Sequence, residues 1–109
     1  MDRETIKKVA QKIKDISKSE DIELEEIIIF GSRTRKDYTK GSDIDILLVS
    51  QSFEGLKWYK RPAIFYRYWD YEKLVEPEFI CLTPREFKEK REMKPHIVHE
   101  AVEKGIVVK

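Results

Sequence analysis

The sequence predicts an α/β fold of the α+β kind, a small mixed β-sheet flanked by helices, and three observations carry that prediction. Ile6, Val9, Ala10, Ile13 and Ile16 recur at intervals of three and four residues with Lys and Asp between them, the period of an amphipathic helix over about residues 3–19. Two runs rich in β-branched residues, Ile27–Phe30 and Ile44–Val49, are apolar almost without interruption. That continuity marks central strands rather than half-exposed ones. The third observation is Thr83-Pro84-Arg85-Glu86, a capping box with Pro at the first helical position, directly after an apolar stretch.

The remaining elements follow in chain order. Gly31-Ser32 ends the first strand, Ser32 is an N-cap candidate for a brief helix over Arg33–Asp37, and Lys40-Gly41-Ser42 supplies a turn before the second strand. Between Trp58 and Tyr71 lie seven of the twelve aromatic residues. Trp58, Pro62, Phe65 and Trp69 are spaced as on a helix, with Pro62 in its first turn, so Trp58, Phe65 and Trp69 are expected to complete the core. Tyr59, Tyr66, Tyr68 and Tyr71 are expected outside, as a surface for self-association or for a partner. Pro77–Leu82 reads as a third strand, residues 84–92 and 96–104 as helices, and Ile106–Val108 as a short terminal strand after Gly105 stops the last helix.

Composition limits the function classes. The 109 residues suit one domain, 1–109, with no repeat or linker. No apolar run approaches the roughly eighteen residues of a membrane span, and MDRETIKK lacks an apolar signal region. With one cysteine, Cys81, no disulfide framework is available, so a cytoplasmic location is expected. Lys and Arg number 22 against 21 Asp and Glu, which disfavours nucleic acid as the main partner. His96 and His99 lie one helical turn apart near Glu100 and Glu103, but an exposed helix explains them without a metal.

The chemically informative stretch is Gly31-Ser32, then ten residues, then Asp43-Ile44-Asp45 at the start of a strand. Carboxylates at i and i+2 on a strand share a face, where like charges repel unless something positive sits between them. Hard divalent cations prefer such oxygen ligands, and Mg²⁺ is held by a few carboxylates together with substrate phosphates. A glycine at a strand end lets backbone approach a phosphate, and a helix N-terminus offers unpaired N–H groups. Arg33 is the best placed of four nearby cations, with Arg35, Lys36 and Lys40, to neutralise a triphosphate.

With its flanks, IIIFGSRTRKDYTKGSDIDILLV, this pattern resembles the signature of the minimal nucleotidyltransferases of the DNA polymerase β superfamily, many of them MntA-type antitoxins paired with HEPN toxins. EFICLTPREFKEKR and HEAVEKGIVV are similar to the family's third strand and closing helices, so the resemblance spans nearly the whole chain and is weakest over residues 52–74. It implies the polymerase β-like palm fold and a Mg²⁺-dependent transfer of AMP from ATP to a hydroxyl, assisted by two Mg²⁺ ions. By position it implies Asp43 and Asp45 as catalytic metal ligands and Gly31 and Ser32, with Arg33, as nucleotide contacts. The family's third carboxylate, an Asp on the third strand, falls at Glu78. Three outcomes are open there: Glu78 ligates with a displaced backbone, Glu76 on the same strand parity replaces it, or catalysis is weak or absent. The resemblance also implies a HEPN-domain toxin as partner and an antitoxin role. The alternative is an inactive binding module that neutralises the toxin by contact, and less favoured is a stand-alone transferase acting on a small hydroxylated substrate.

Overall fold

The structure, a computed structural model, describes residues 2–31 and 44–108. Helix α1 spans Arg3–Ser19. It is followed by β1 (Glu26–Phe30), β2 (Ile44–Val49), a 3-10 turn at Gln51–Phe53, α2 (Ala63–Tyr68), β3 (Pro77–Leu82), α3 (Pro84–Lys90), α4 (Ile97–Lys104) and β4 (Ile106–Val108). The brief helix expected over 33–37 and the turn at 40–42 lie outside the described residues. Among the described residues the strands form one mixed sheet in the order β3-β2-β1-β4. β1 runs antiparallel to β2 and to β4, while β2 and β3 are parallel. The two uninterrupted apolar runs are thus the two central strands.

Alternation along each strand sorts the side chains into two layers. On one face Ile27, Ile29, Ile44, Ile46, Leu48, Phe79 and Cys81 pack against Val9, Ile13 and Ile16 of α1 and against Phe53, Phe65 and Trp69. On the other, Ile28, Phe30, Leu47, Val49 and Leu82 meet Phe87 of α3 and Val98 and Ala101 of α4. Local signals explain the helix ends. The Asp2 carboxylate accepts the Thr5 N–H at 2.8 Å and caps α1. Thr83 and Glu86 close the expected capping box reciprocally at the start of α3. Gly105 donates its N–H to the Ala101 carbonyl at 2.7 Å. A Cβ there would overlap that carbonyl and the Ile28 side chain, so the close approach requires glycine.

The aromatic segment departs from expectation. The helix begins only at Ala63, with Pro62 as its cap residue rather than in its first turn. Residues 54–62 turn instead of coiling, as the Leu56 N–H to Phe53 carbonyl and Lys60 N–H to Lys57 carbonyl bonds show. Phe65 and Trp69 are buried as expected, but Trp58, placed ahead of the helix, is 73 % exposed. Tyr59, Tyr68 and Tyr71 are exposed, whereas Tyr66 is drawn in. Its ring lies 5.0 Å from that of Phe79 and its hydroxyl accepts the Phe79 N–H at 2.9 Å. α3 ends two residues earlier than expected, and α4 starts one residue later because His96 serves as its cap.

Candidate active site

The register of the sheet assembles the site. Asp45 pairs across β2 and β3 with Glu78, and across β1 and β2 with Phe30. Adjacent strands lie ~4.8 Å apart, and laterally paired residues in a sheet share a face. Asp45 and Glu78 therefore project together on the face where Leu47, Val49 and Leu82 lie farther along the same strands. Gly31 immediately follows Phe30, and β1 runs opposite to β2, so Gly31 stands at the sheet end where β2 and β3 begin. Gly31, Asp45 and Glu78 are thus brought to one end of the sheet by backbone pairing alone.

Their environments differ. Asp45 is 2 % exposed, while Gly31 and Glu78 are half-buried. Burying a carboxylate is costly without hydrogen bonds or a cation beside it. Glu76, the other acidic residue of that parity, is exposed and sits before β3, its carbonyl accepting the Ile44 N–H at 3.2 Å. The register sets Glu78, not Glu76, opposite Asp45. Ser32, Arg33 and Asp43, with Arg35, Lys36 and Lys40, lie outside the described residues. As a donor set, two hard carboxylate oxygens side by side at a strand end fit a divalent cation such as Mg²⁺ better than a soft or thiophilic metal.

Beyond this pair, the outer edge of β3 is dressed by Arg61, to which the sequence assigned no role, and by Tyr66, which was expected outside. Arg61, buried, donates Nε to the Leu56 carbonyl at 2.9 Å and Nη1 to the Cys81 carbonyl at 3.2 Å. The same guanidinium grips both oxygens of Glu86, at 2.5 and 3.2 Å. The Arg61 hydrogen bond holds the Glu86 carboxyl down to about 2, with the Thr83 N–H adding to it against desolvation. Burial raises the Tyr66 phenol above its usual value; the Phe79 N–H it accepts pulls the other way, and the charge of Glu78 raises it further. Arg61 and Tyr66 thus blunt an edge strand that would otherwise present its backbone to other chains. The sequence, Lys60-Arg61-Pro62, gives no local sign of this role, because the target is non-local.

Two other candidates resolve into structural roles. Burial pushes the Cys81 thiol up to about 12, the wrong direction for a nucleophile. His96 accepts the Val98 N–H on Nδ1 at 3.1 Å, and the His99 Nδ1 lies 2.7 Å from the Arg91 carbonyl. Among the described residues no helix is long and apolar enough to cross a membrane.

Comparison with known proteins shows the family and the fold. A crystal structure from Sulfolobus solfataricus, of a protein provisionally assigned as a nucleotidyltransferase, superposes with a TM-score of 0.54 at 29 % identity, covering 79 % of this chain and 73 % of that one. No curated protein matches the chain significantly. The nucleotidyltransferase domain family matches residues 6–108, which include both central strands, the Gly31-Ser32 dipeptide, the two aspartates and Glu78. By that match over nearly its whole length, the chain belongs to the nucleotidyltransferase domain family.

Proposed function

We propose that the chain transfers AMP from ATP to a hydroxyl on a partner protein, and that the partner is a HEPN-domain toxin which it restrains as a cytoplasmic antitoxin. The supporting observation is the register that sets Glu78 beside Asp45 on one face, at the sheet end reached by Gly31. In this reading Asp43, Asp45 and Glu78 hold Mg²⁺, and Gly31, Ser32 and Arg33 contact the phosphates. Two Mg²⁺ ions would neutralise the triphosphate and stabilise the attacking and leaving oxygens of an in-line displacement. The chain's own part is positional. The short β2–β3 ladder fixes two carboxylates on neighbouring backbones, and the glycine leaves room for phosphate to approach main-chain N–H groups. The acceptor oxygen bonds to the α-phosphorus, the bond from that phosphorus to the bridging oxygen breaks, pyrophosphate departs, and the hydroxyl proton passes to solvent. The extra methylene of Glu78 relative to Asp is the feature that favours the second reading, a binding module with weak or no turnover.

The test is incubation with α-labelled ATP, Mg²⁺ and a HEPN protein encoded beside this one. Label on the partner that disappears in Asp45→Ala supports the transferase. A partner held and inhibited without label supports the binding module, and calorimetry showing no Mg²⁺-dependent nucleotide uptake overturns the enzymatic reading.

A further inference from the structure

His99 and Glu103 stand one turn apart on α4, in a groove of about 750 Å³ that Lys94, His96 and Lys104 also line. The two histidines are not equivalent there. His96 accepts the Val98 N–H on Nδ1 at 3.1 Å, so in the neutral ring its proton sits on Nε2 and no lone pair is left for an ion. His99 is set the other way. Its Nδ1 lies 2.7 Å from the Arg91 carbonyl, which can only accept, so Nδ1 carries the proton and the lone pair of the neutral ring is on Nε2. That nitrogen stands 4.0 Å from Oε1 of Glu103, itself an acceptor. The separation is too long for a hydrogen bond. It is close to the sum of a Zn–N bond of about 2.0–2.1 Å and a Zn–O bond of about 2.0–2.2 Å. Tying the other ring N–H to a carbonyl is, moreover, how metal-binding histidines are held, because it fixes both tautomer and ring orientation. Here the carbonyl belongs to the residue that ends α3.

We infer that His99 Nε2 and the Glu103 carboxylate form a site for a borderline divalent cation of the Zn²⁺ kind, on the outside of the α3–α4 layer. Charge in the groove is balanced, Lys94 and Lys104 against Glu100 and Glu103, so selection rests on the nitrogen ligand. Imidazole suits Zn²⁺, whereas Mg²⁺ takes oxygen, which separates this site chemically from the Asp45–Glu78 pair. A tetrahedral angle at the ion needs the two atoms about 3.4 Å apart. Glu103, its side chain 63 % exposed, has the room to close that gap. Among the described residues no group of three ligating side chains gathers, so water completes the coordination. The consequence is mechanical. Linked through His99 to the end of α3, the ion ties together the two helices whose Phe87, Val98 and Ala101 cover the Asp45 face of the sheet.

The experiment is a calorimetric titration of the untagged chain with Zn²⁺ in excess Mg²⁺, which occupies oxygen-only sites, with the imidazole nitrogen resonances followed in parallel. The expected result is uptake of one Zn²⁺ per chain, a shift confined to the His99 ring, and an unfolding temperature that rises with Zn²⁺ concentration. His99→Gln and Glu103→Gln should each weaken uptake by about tenfold or more. His96→Asn, which keeps a capping acceptor, should leave it unchanged. Glu103→Gln alters only an exposed side chain, so it keeps the test decisive even where His99→Gln disturbs the fold. Undiminished uptake in Glu103→Gln, or loss in His96→Asn, puts the ion elsewhere and overturns the site. Absence of saturable uptake by the wild type overturns it as well. None of these outcomes depends on AMP transfer.

Discussion

The two faces of β2 are equally buried and chemically different. Every residue from Ile44 to Val49 is buried. Ile44, Ile46 and Leu48 enter the layer shared with α1 and α2, where they pack with hydrocarbon, aromatic rings and Cys81. Leu47 and Val49 enter the layer beneath α3 and α4, yet Asp45 on that same face is a carboxylate. A hydrocarbon at position 45 would be the less costly occupant, since burying a charge demands compensating partners. One face therefore stabilises the fold, and the other gives up part of that stability to hold acidic groups in register. Burial does not separate the two; the chemistry of alternate positions does.

The largest effect should come from the hydrocarbon face. Phe65 is fully buried, its ring 5.5 Å from that of Phe79. Phe65→Ala should cost ~3–5 kcal/mol, through lost transfer energy and the cavity left behind. Urea unfolding followed by circular dichroism measures it. The partner experiment on the other face is Asp45→Asn, which keeps volume and removes charge. The proposed AMP transfer should fall by about two to three orders of magnitude, ~3–4 kcal/mol in the barrier, with unfolding free energy changed by less than about 1 kcal/mol or raised. Asp45→Asn that unfolds the protein as Phe65→Ala does, with transfer intact in the folded fraction, would erase the distinction between the faces.

This division was partly legible in the sequence. Continuous β-branched runs exposed β1 and β2 as central, and the Asp43-x-Asp45 pattern drew attention to Asp45, while Asp43 lies outside the described residues. That Glu78 lies opposite Asp45 is a matter of register between strands more than thirty residues apart. No local pattern encodes that pairing; it came into view through family resemblance. Trp58 was misplaced because its spacing to Pro62, Phe65 and Trp69 is helical only if the helix extends that far, and turns through residues 54–62 prevent it. Arg61 and Tyr66 gave no readable sign, since their partners are the outward main-chain groups of β3.

A smaller effect sharpens the comparison at the base of the second face. Gly105 lets the end of α4 lie against Ile28. Its φ is an ordinary −81°, so alanine is not forbidden by backbone conformation but by the space its Cβ would occupy. Gly105→Ala should cost ~1–3 kcal/mol as Ile28 and α4 are pushed apart. Thermal unfolding reads the loss, and a neutral or stabilising result would show that this face is packed loosely enough to absorb a methyl group.

The smallest expected effect is a pH dependence at the Arg61–Glu86 ion pair on the outer edge of β3. Glu86 keeps its carboxyl near 2 instead of the ordinary 4.5 because Arg61 and the Thr83 N–H favour the charged form. A carboxylate lowered on folding contributes stability that is complete above its unfolded value and is lost as pH falls toward the folded one. The window is therefore about pH 4.5 down to 2. The side chain is 31 % exposed, so solvent screening reduces the contribution to ~1 kcal/mol. Glu86→Gln removes the titration while its amide oxygen still accepts the Thr83 N–H. The wild type should be the more stable of the two at neutral pH, and its advantage should vanish between pH 4.5 and 2 in parallel unfolding titrations. An advantage that survives to pH 2 would place the contribution in the packing of the Glu86 side chain rather than in its charge. The polar groups around β3 would then be wall in the same sense as the hydrocarbon across the sheet.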